Sequence, residues 1–596
     1  MGSIVGFSLF SELEADVVKR LLASQEEALA SFNHLERKSI SLGTTSLEIW
    51  GHKCVSERIH TMPDGSLLAL IGSPHGEVVW PKLQDALERN GKPTDFRIPW
   101  DGRVILLHVS ADGRRWTMWN DWLGSIPVFY TSIGRGRVAS TLEPVVVASA
   151  GYTPDDFFLP ALVSLLINGH YLADWSLYKG MKVIPPDSRI DWNENGFRAN
   201  TLWTVEPSQS RWEAGWDDLV DEMHELSRQA VKQALSGHPK WILPLSSGLD
   251  SRLIAGVAAE VGADAHAYAW GASHTTDVVN SQKIARALGF PWKHIDLPKD
   301  FLVKYTPQWA AWFGSAMHFH GMYQMSFLEQ IRSEPDGPVL SGFIGEVLAG
   351  DSVNELSAQH SLPGTCQLFN DWYVHFTAKE IRSFIRQPVE NAMEINAAYL
   401  KNQLDTLPGA GFQKFFFLEL WNRQRLFTNF QSTLSDYWRG VATPFIDRTY
   451  ARFCLSLPRL ALDNRQLLAD VFRRYYGSLA VIPGTYAKDP FILTGSYLVK
   501  RRLVEKLPPA LHRGPLKGFG KVQLRMDIES VQATGRDALW PLFVAREKLS
   551  EWLDFSQLER DFQTVMSSQE DIRPLRRLQS AQTLAYRLLG KKDSVS

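Results

Sequence analysis

An α/β architecture in at least two parts follows from three features of this sequence. Residues 1 to about 205 carry short apolar runs punctuated by Asp-Gly and Asn-Gly turns, the mark of antiparallel β-structure with a few helices. From about 206 the pattern changes to apolar strands alternating with amphipathic helices, the rhythm of a doubly wound parallel sheet. At 596 residues the chain also exceeds what a single core supports. The expected division is therefore 1–205 and 206–596, the second part ending in a long helical region.

The elements can be justified in order. Ile4 to Phe10 and Leu67 to Gly72 are apolar enough to be buried strands. Val104 to Val109 and Trp116 to Trp119 flank Ala111-Asp112-Gly113-Arg114, which predicts a hairpin. A further strand ends at Val138-Ala139-Ser140-Thr141-Leu142-Glu143-Pro144, and Asn195-Gly196 marks another turn. Leu219, Met223, Leu226 and Ala230 share one face of an amphipathic helix. A βαβαβ series follows: Trp241 to Leu245, a helix from Leu253 to Val261, His266 to Trp270, a helix from about Asp277 to Leu288, and Trp292 to Leu297.

Composition excludes several classes. A net charge of -2 gives no electrostatic footprint for nucleic acid or an acidic membrane surface. Cys54, Cys366 and Cys454 are scattered and form no disulfide or metal framework, which points to a reducing, cytoplasmic setting. The start of the chain has no basic segment leading an apolar one, so no secretory signal is expected. The apolar run Phe157 to Ile167 is too short to span a bilayer. His318-Phe319-His320 lacks a third ligand at regular spacing and is not read as a metal site.

The chemistry centres on Leu245-Ser246-Ser247-Gly248-Leu249-Asp250-Ser251-Arg252, a strand, a tight turn and a helix start. Backbone N–H groups at such a helix N-terminus suit an anion, and here they are expected to face outward. Ser246, Ser247 and Ser251 add hydroxyl donors, Gly248 permits close approach, and Asp250 can hold a cation beside phosphates. No G-x-x-x-x-G-K-[ST] occurs, so a P-loop of that kind is excluded. The second stretch is Pro338 to Gly350, with Ser341-Gly342 and Glu346.

The 245–252 octapeptide resembles the S-G-G-x-D-S pyrophosphate loop of the asparagine synthetase family, with Ser247 in place of the first glycine. Asp121 to Tyr130, the segment ending at Glu143, and Lys182-Val183-Ile184-Pro185-Pro186 resemble that family's glutaminase domain. Ser341 to Gly350 resembles its S-G-x-G-x-D-E loop, while Thr443-Pro444-Phe445-Ile446-Asp447 and Ser456-Leu457-Pro458 resemble later landmarks. The resemblance implies an N-terminal Ntn-hydrolase-like αββα sandwich and an ATP-pyrophosphatase domain. It further implies ATP gripped by Leu245, Ser246, Ser247, Gly248, Asp250 and Ser251, with Trp270-Gly271 beside adenine and ribose and Ser341-Gly342 over AMP. Asp250 and Glu346 would share Mg2+, and either Lys488 or Lys517 would be the late catalytic lysine. Asp277 would cap its helix or contact the substrate amine or the nucleotide.

Departures refine the expectation. Gly2 stands where the family's glutaminases carry cysteine, so glutamine hydrolysis should be absent and the first domain inactive. Phe343 and Gly440 stand where β-lactam synthetases place a tyrosine and a glutamate. An ATP-dependent ligase is expected, adenylating a carboxylate with release of AMP and pyrophosphate and passing it to an amine. Lasso-peptide macrolactam cyclases fit these departures, with a precursor peptide and its processing protease as partners. The alternatives are an amidotransferase-like enzyme acting on a surface polysaccharide or small metabolite, and a nucleotide-binding subunit that has lost its chemistry.

Overall fold

The computed structural model describes residues 3–53, 55–89, 96–172, 174–334, 337–350, 375–484, 490–499, 526–568 and 571–589. Its N-terminal strands are β1 (Ile4–Ser11), β2 (Glu36–Leu42), β3 (Thr45–Gly51), β4 (Ile59–Thr61), β5 (Leu67–His75), β6 (Asp101–Val109), β7 (Trp116–Asn120), β8 (Phe129–Ile133), β9 (Gly136–Ser140), β10 (Lys182–Val183), β11 (Ser188–Asn193) and β12 (Gly196–Thr201). They form two antiparallel halves, β2-β3-β1-β9-β8-β10 and β4-β5-β6-β7-β11-β12, joined by the parallel pair Ile4 and Ile71. The halves close on one another. Phe7, Leu9, Ile49 and Ala139 of one meet Ile71, Ile105, Leu107, Met118 and Ile190 of the other in a buried core.

Strand alternation decides this layering. On β5 and β6, Ala69, Ile71, Ile105 and Leu107 point inward, whereas Leu68, Leu70, Val104 and Leu106 point to the opposite face. That outer face is covered by α2 (Trp80–Arg89) through Leu83, and by Phe96 and Trp100. The outer face of the other half carries Val5, Phe10 and Val138 in a core shared with α1 (Ala15–Leu29) and α3 (Glu143–Ala150). The expected αββα order is therefore present. The predicted hairpin turns at Asp112-Gly113 and Asn195-Gly196 are also present. α4 (Leu159–Asn168) is apolar all round and buried.

The second part opens with α5 (Trp216–Ala234), then β13 (Trp241–Pro244), α6 (Leu249–Glu260), β14 (Ala265–Trp270), α7 (Thr276–Leu288) and β15 (Trp292–Ile295). Next come α8 (Phe301–Phe313), α9 (Met322–Gln330), β16 (Val339–Leu340), the single turn α10 (Gly345–Leu348) and, after further helices, β17 (Val441–Ala442). The five strands are all parallel, in the order β15-β14-β13-β16-β17. The order reverses between β13 and β16, so their carboxyl ends form the crevice where ligands bind in open α/β sheets. Both chemical stretches of the sequence leave the sheet at that crevice. The remaining elements of the second part are helices, and no described helix is long and apolar enough to cross a membrane.

The two parts are fastened by buried polar contacts. Asp121 folds its turn by accepting from the Leu123 and Ser125 backbone N–H groups at 3.1 Å. The carbonyls thus turned outward accept from Arg425 (Gly124 O, 3.1 Å), Asn429 (Ser125 O, 2.5 Å) and Arg103 (Ser125 O, 3.1 Å). Trp122 donates to the Ile446 carbonyl at 2.7 Å. Glu143, on α3, pairs with Arg587 of the last helix and accepts from the Ser315 hydroxyl at 2.5 Å. Gly314 is required beside this pair, because a Cβ there would collide with both charged groups.

Glu143 is 1% exposed, so truncation would strand the Arg587 charge in a low-dielectric interior. Glu143→Ala should therefore cost about 3–5 kcal/mol, read as a lowered urea midpoint. A loss below about 1 kcal/mol would show the pair to be incidental.

Candidate functional site

The 245–252 turn is held from three sides. Its own serines close it: the Ser246 N–H points to Ser251 Oγ (3.3 Å), the two hydroxyls lie 3.0 Å apart, and Gly248 N–H donates to Ser246 Oγ (3.0 Å). From α7, Asp277 Oδ1 accepts from both the N–H (3.1 Å) and the hydroxyl (2.7 Å) of Ser247. From α10, Glu346 Oε1 accepts from the Leu249 N–H at 2.7 Å. The turn's donors thus do not stand open to solvent, as the sequence suggested. Two carboxylates occupy oxyanion positions at the helix N-terminus, which is the electrostatics expected of a phosphate cradle.

Asp277 is accordingly not the cap of α7. That role falls to Thr275, whose side chain accepts from Val278 N–H. Arg252, fully buried, is a second clamp that sequence reasoning missed. It donates to the carbonyls of Ser247 (2.9 Å), Leu479 (3.2 Å), Ile482 (2.7 Å) and Pro483 (2.8 Å), tying α6 to the 479–483 turn. Asn280 of α7 adds a bond to Pro483 O at 3.1 Å. Burial draws the Arg252 guanidinium down to about 10 against the opposing charge of Glu346, leaving it cationic at neutral pH.

The second loop is pressed onto the first. A Cβ on Gly342 would lie 3.1 Å from Ser251 N and 3.3 Å from Asp250 Cβ; one on Gly345 would lie 2.8 Å from Asp250 Cβ and 2.5 Å from the Phe445 ring. Between them Ile344 has φ 63°, a conformation that β-branched residues avoid. The strained turn brings Glu346 to the mouth of the first loop, with Arg465 3.7 Å from its other oxygen. Arg465 and its neighbour Asn464 also have positive φ. Neither strain nor Arg465 left a mark in the sequence.

The outcome is a small cradle around Gly248. A Cβ there would stand 3.0 Å from Ser246 Oγ, 3.2 Å from Asp250 Oδ1 and 3.3 Å from Glu346 Oε1. Two carboxylates and a serine hydroxyl are oxygen donors of the kind that suit Mg2+ completed by phosphate and water oxygens. Among the described residues no group of three or more His, Cys, Asp or Glu is arranged to hold a metal alone. Ser341 lies beyond Gly342, with its hydroxyl accepting from Phe343 N–H at 3.3 Å. Trp270 ends β14 with its ring 4.2 Å from that of Phe327, and Gly271 follows with φ 101°. Leu245 is bonded to Tyr268 O across the same sheet edge. Gly2, Lys488 and Lys517 lie outside the described residues.

His318 and His320 do gather further imidazoles: His375 and His318 rings lie 5.5 Å apart in a buried cluster with Ser580 and Phe427. Burial lowers all three pKa values well below the ordinary range, so the cluster is neutral packing.

Residues 222–402 match the asparagine synthase family model. That stretch is similar to asparagine synthase domains. It covers less than a third of the chain, from α5 through both loops. No curated protein matches. Several solved structures are distantly similar, among them the following two. One is described as the allosteric regulatory enzyme of purine biosynthesis: 10% identity, 50% of this chain and 81% of that one, TM-score 0.24. The other is glutamine phosphoribosylpyrophosphate amidotransferase from B. subtilis with ADP and GMP: 11% identity, 60% and 77% coverage, TM-score 0.22. Overlaps this slight say nothing about chemistry.

The tight fit of the asparagine synthase loops is testable. Gly345→Ala should weaken ATP binding about tenfold by driving Asp250 from Phe445, an overpacking cost of about 1–3 kcal/mol. Phe445→Leu, which vacates ring volume, should restore part of the loss in the double variant, measured by nucleotide titration. Equal affinities in wild type and Gly345→Ala would contradict this packing.

Proposed function

We propose that this protein is an ATP-dependent ligase that activates a carboxylate as its acyl-adenylate and joins it to an amine. The observation carrying the reading is the convergence of Ser246, Gly248, Asp250 and Glu346 at the switch point of a parallel sheet, within an asparagine synthase domain. In the proposed step a substrate carboxylate oxygen attacks the α-phosphorus and the bond to the β,γ-pyrophosphate breaks. The amine then attacks the acyl carbon, AMP leaves, and the amine gives up one proton.

This chain's residues have distinct parts in that scheme. Ser246 and the Gly248 and Leu249 N–H groups receive the pyrophosphate, the Leu249 N–H exchanging the Glu346 carboxylate for phosphate oxygen. Asp250 and Glu346 would hold Mg2+, which neutralises phosphate charge when bound. Asp277 and Arg252 position the turn. A late lysine, Lys517 or Lys488, would meet the charge developing on the phosphates.

A preformed amine is the proposed acceptor, the α-amine of a peptide closing a macrolactam. Phe343, buried where a base would be needed, supplies none, and a peptide α-amine is partly neutral already near pH 8. Product formation should rise between about pH 7 and 8.5 and be indifferent to glutamine.

Purified protein with ATP, Mg2+ and its acid substrate should release AMP and pyrophosphate, and Asp250→Asn should abolish turnover while the fold survives. Release of ADP alone would overturn the adenylation step. Dependence on glutamine, with glutamate formed, would favour the amidotransferase alternative.

A further inference from the structure

The buried imidazoles gathered around Phe427 lie on the boundary between the two parts of the chain, and their hydrogen bonds fix where the protons sit. Carbonyl oxygens only accept, so His320 Nδ1 donates to the His318 carbonyl (3.1 Å) and His318 Nε2 to the Arg576 carbonyl (3.3 Å). His318 Nδ1, 3.3 Å from His320 Nδ1, is therefore a lone pair facing an N–H. Ser580, on the last helix (Arg573–Leu588), donates to the Leu165 carbonyl of α4 at 3.3 Å. Its oxygen then accepts from His318 Nε2 (3.0 Å) and His375 Nδ1 (3.3 Å). The His375 backbone N–H also donates to Ile167 O of α4, at 2.7 Å. Gly169, which ends α4 with φ 78°, makes this closure possible: a Cβ there would stand 2.7 Å from the His375 and Phe427 rings.

The arrangement holds neutral rings only. A proton on His318 Nδ1 would set two N–H groups against each other at 3.3 Å. Positive charge already flanks the site. The guanidiniums of Arg423, on the π-helix Glu419–Thr428, and Arg576 lie 5.4 and 5.8 Å from the Phe427 ring on which His320 stacks. Arg577 adds its field at His375, and His170 faces the same ring from the sandwich, its Nδ1 donating to Tyr171 O at 3.0 Å. The acids on these elements stand behind the arginines: Glu419 is 3.7 Å from Arg423, and Asp561 and Glu380 pair with Arg577. Asp527, in the field of Arg576, is pushed up to about 6 by burial, so it sheds its negative charge as the pH falls.

We propose that this cluster is an acid-sensitive latch between α4 of the sandwich and the last helix, closed while its imidazoles are neutral and released when they take protons. Burial holds His170 down to about 4 and the other three rings well below their ordinary value. Folded values below unfolded ones mean that the latch is at full strength above about pH 6.5 and weakens as the pH falls. Each imidazole that must charge raises the opening equilibrium up to tenfold per pH unit in that window. Asp527, whose folded value lies above the unfolded one, offsets this by at most one proton. None of these residues belongs to the two nucleotide loops, so the latch is independent of the ligase reading.

Amide hydrogen exchange of the full-length protein at pH 7.5 and 5.5, corrected for the intrinsic change of exchange rate with pH, tests the latch. Opening of α4 and of the last helix should grow at least tenfold at the lower pH. His320→Phe, which keeps a ring on Phe427 but takes no proton, should make that growth about tenfold smaller. His375→Asn, whose amide can still donate to Ser580, should do the same, and urea midpoints at pH 7.5 verify that both variants fold. Equal opening of the two helices at both pH values in the wild type would overturn the proposal without any variant. So would a growth that both folded variants leave intact.

Discussion

The approach of two loop backbones to one another is the constraint on which this site depends. Asp250 sits on the first loop and Glu346 on the second, and neither position has meaning unless the loops touch. Gly342 and Gly345 make the contact possible, since side chains there would meet Asp250, Ser251 and Phe445. The positive φ of Ile344 is the conformational cost of the same approach. Once closed, the contact delivers Glu346 to the Leu249 N–H and sets two carboxylates on either side of Gly248.

Everything around the loops restrains them. Arg252 spends its donors on four carbonyls, so the start of α6 and the 479–483 turn move together. Asp277 holds Ser247 from α7. Farther out, Phe445 presses on Gly345 while the adjacent Ile446 carbonyl accepts from Trp122 of the sandwich. A sequence turn in the N-terminal part, Asp121 to Ser125, is therefore coupled by packing to the second loop.

Much of this was legible in the sequence because local physics decides it. The nearly continuous apolar runs Leu67 to Gly72 and Val104 to Val109 announced buried strands, and Asp112-Gly113 and Asn195-Gly196 announced hairpins. The βαβαβ rhythm gave the parallel sheet, and the serine-glycine turn lay where expected. What the sequence concealed depends on residues far apart along the chain. Asp277 read as a helix cap or as a contact to the amine or nucleotide, yet its partner is Ser247, 30 residues away. Arg252 looked like the tail of a motif, but three of its four acceptors lie more than 220 residues on. His318 and His320 lacked a third imidazole in sequence, and His375 arrives only through the fold.

The most direct measurement is a crystal structure with Mg2+ and an ATP analogue that cannot be cut between its α and β phosphates. The account predicts the β- and γ-phosphates in the 246–251 turn, with Leu249 N–H transferred from Glu346 to phosphate oxygen and the metal touching Asp250 and Glu346. A nucleotide bound elsewhere, or phosphates on the turn with the metal away from both carboxylates, would contradict it.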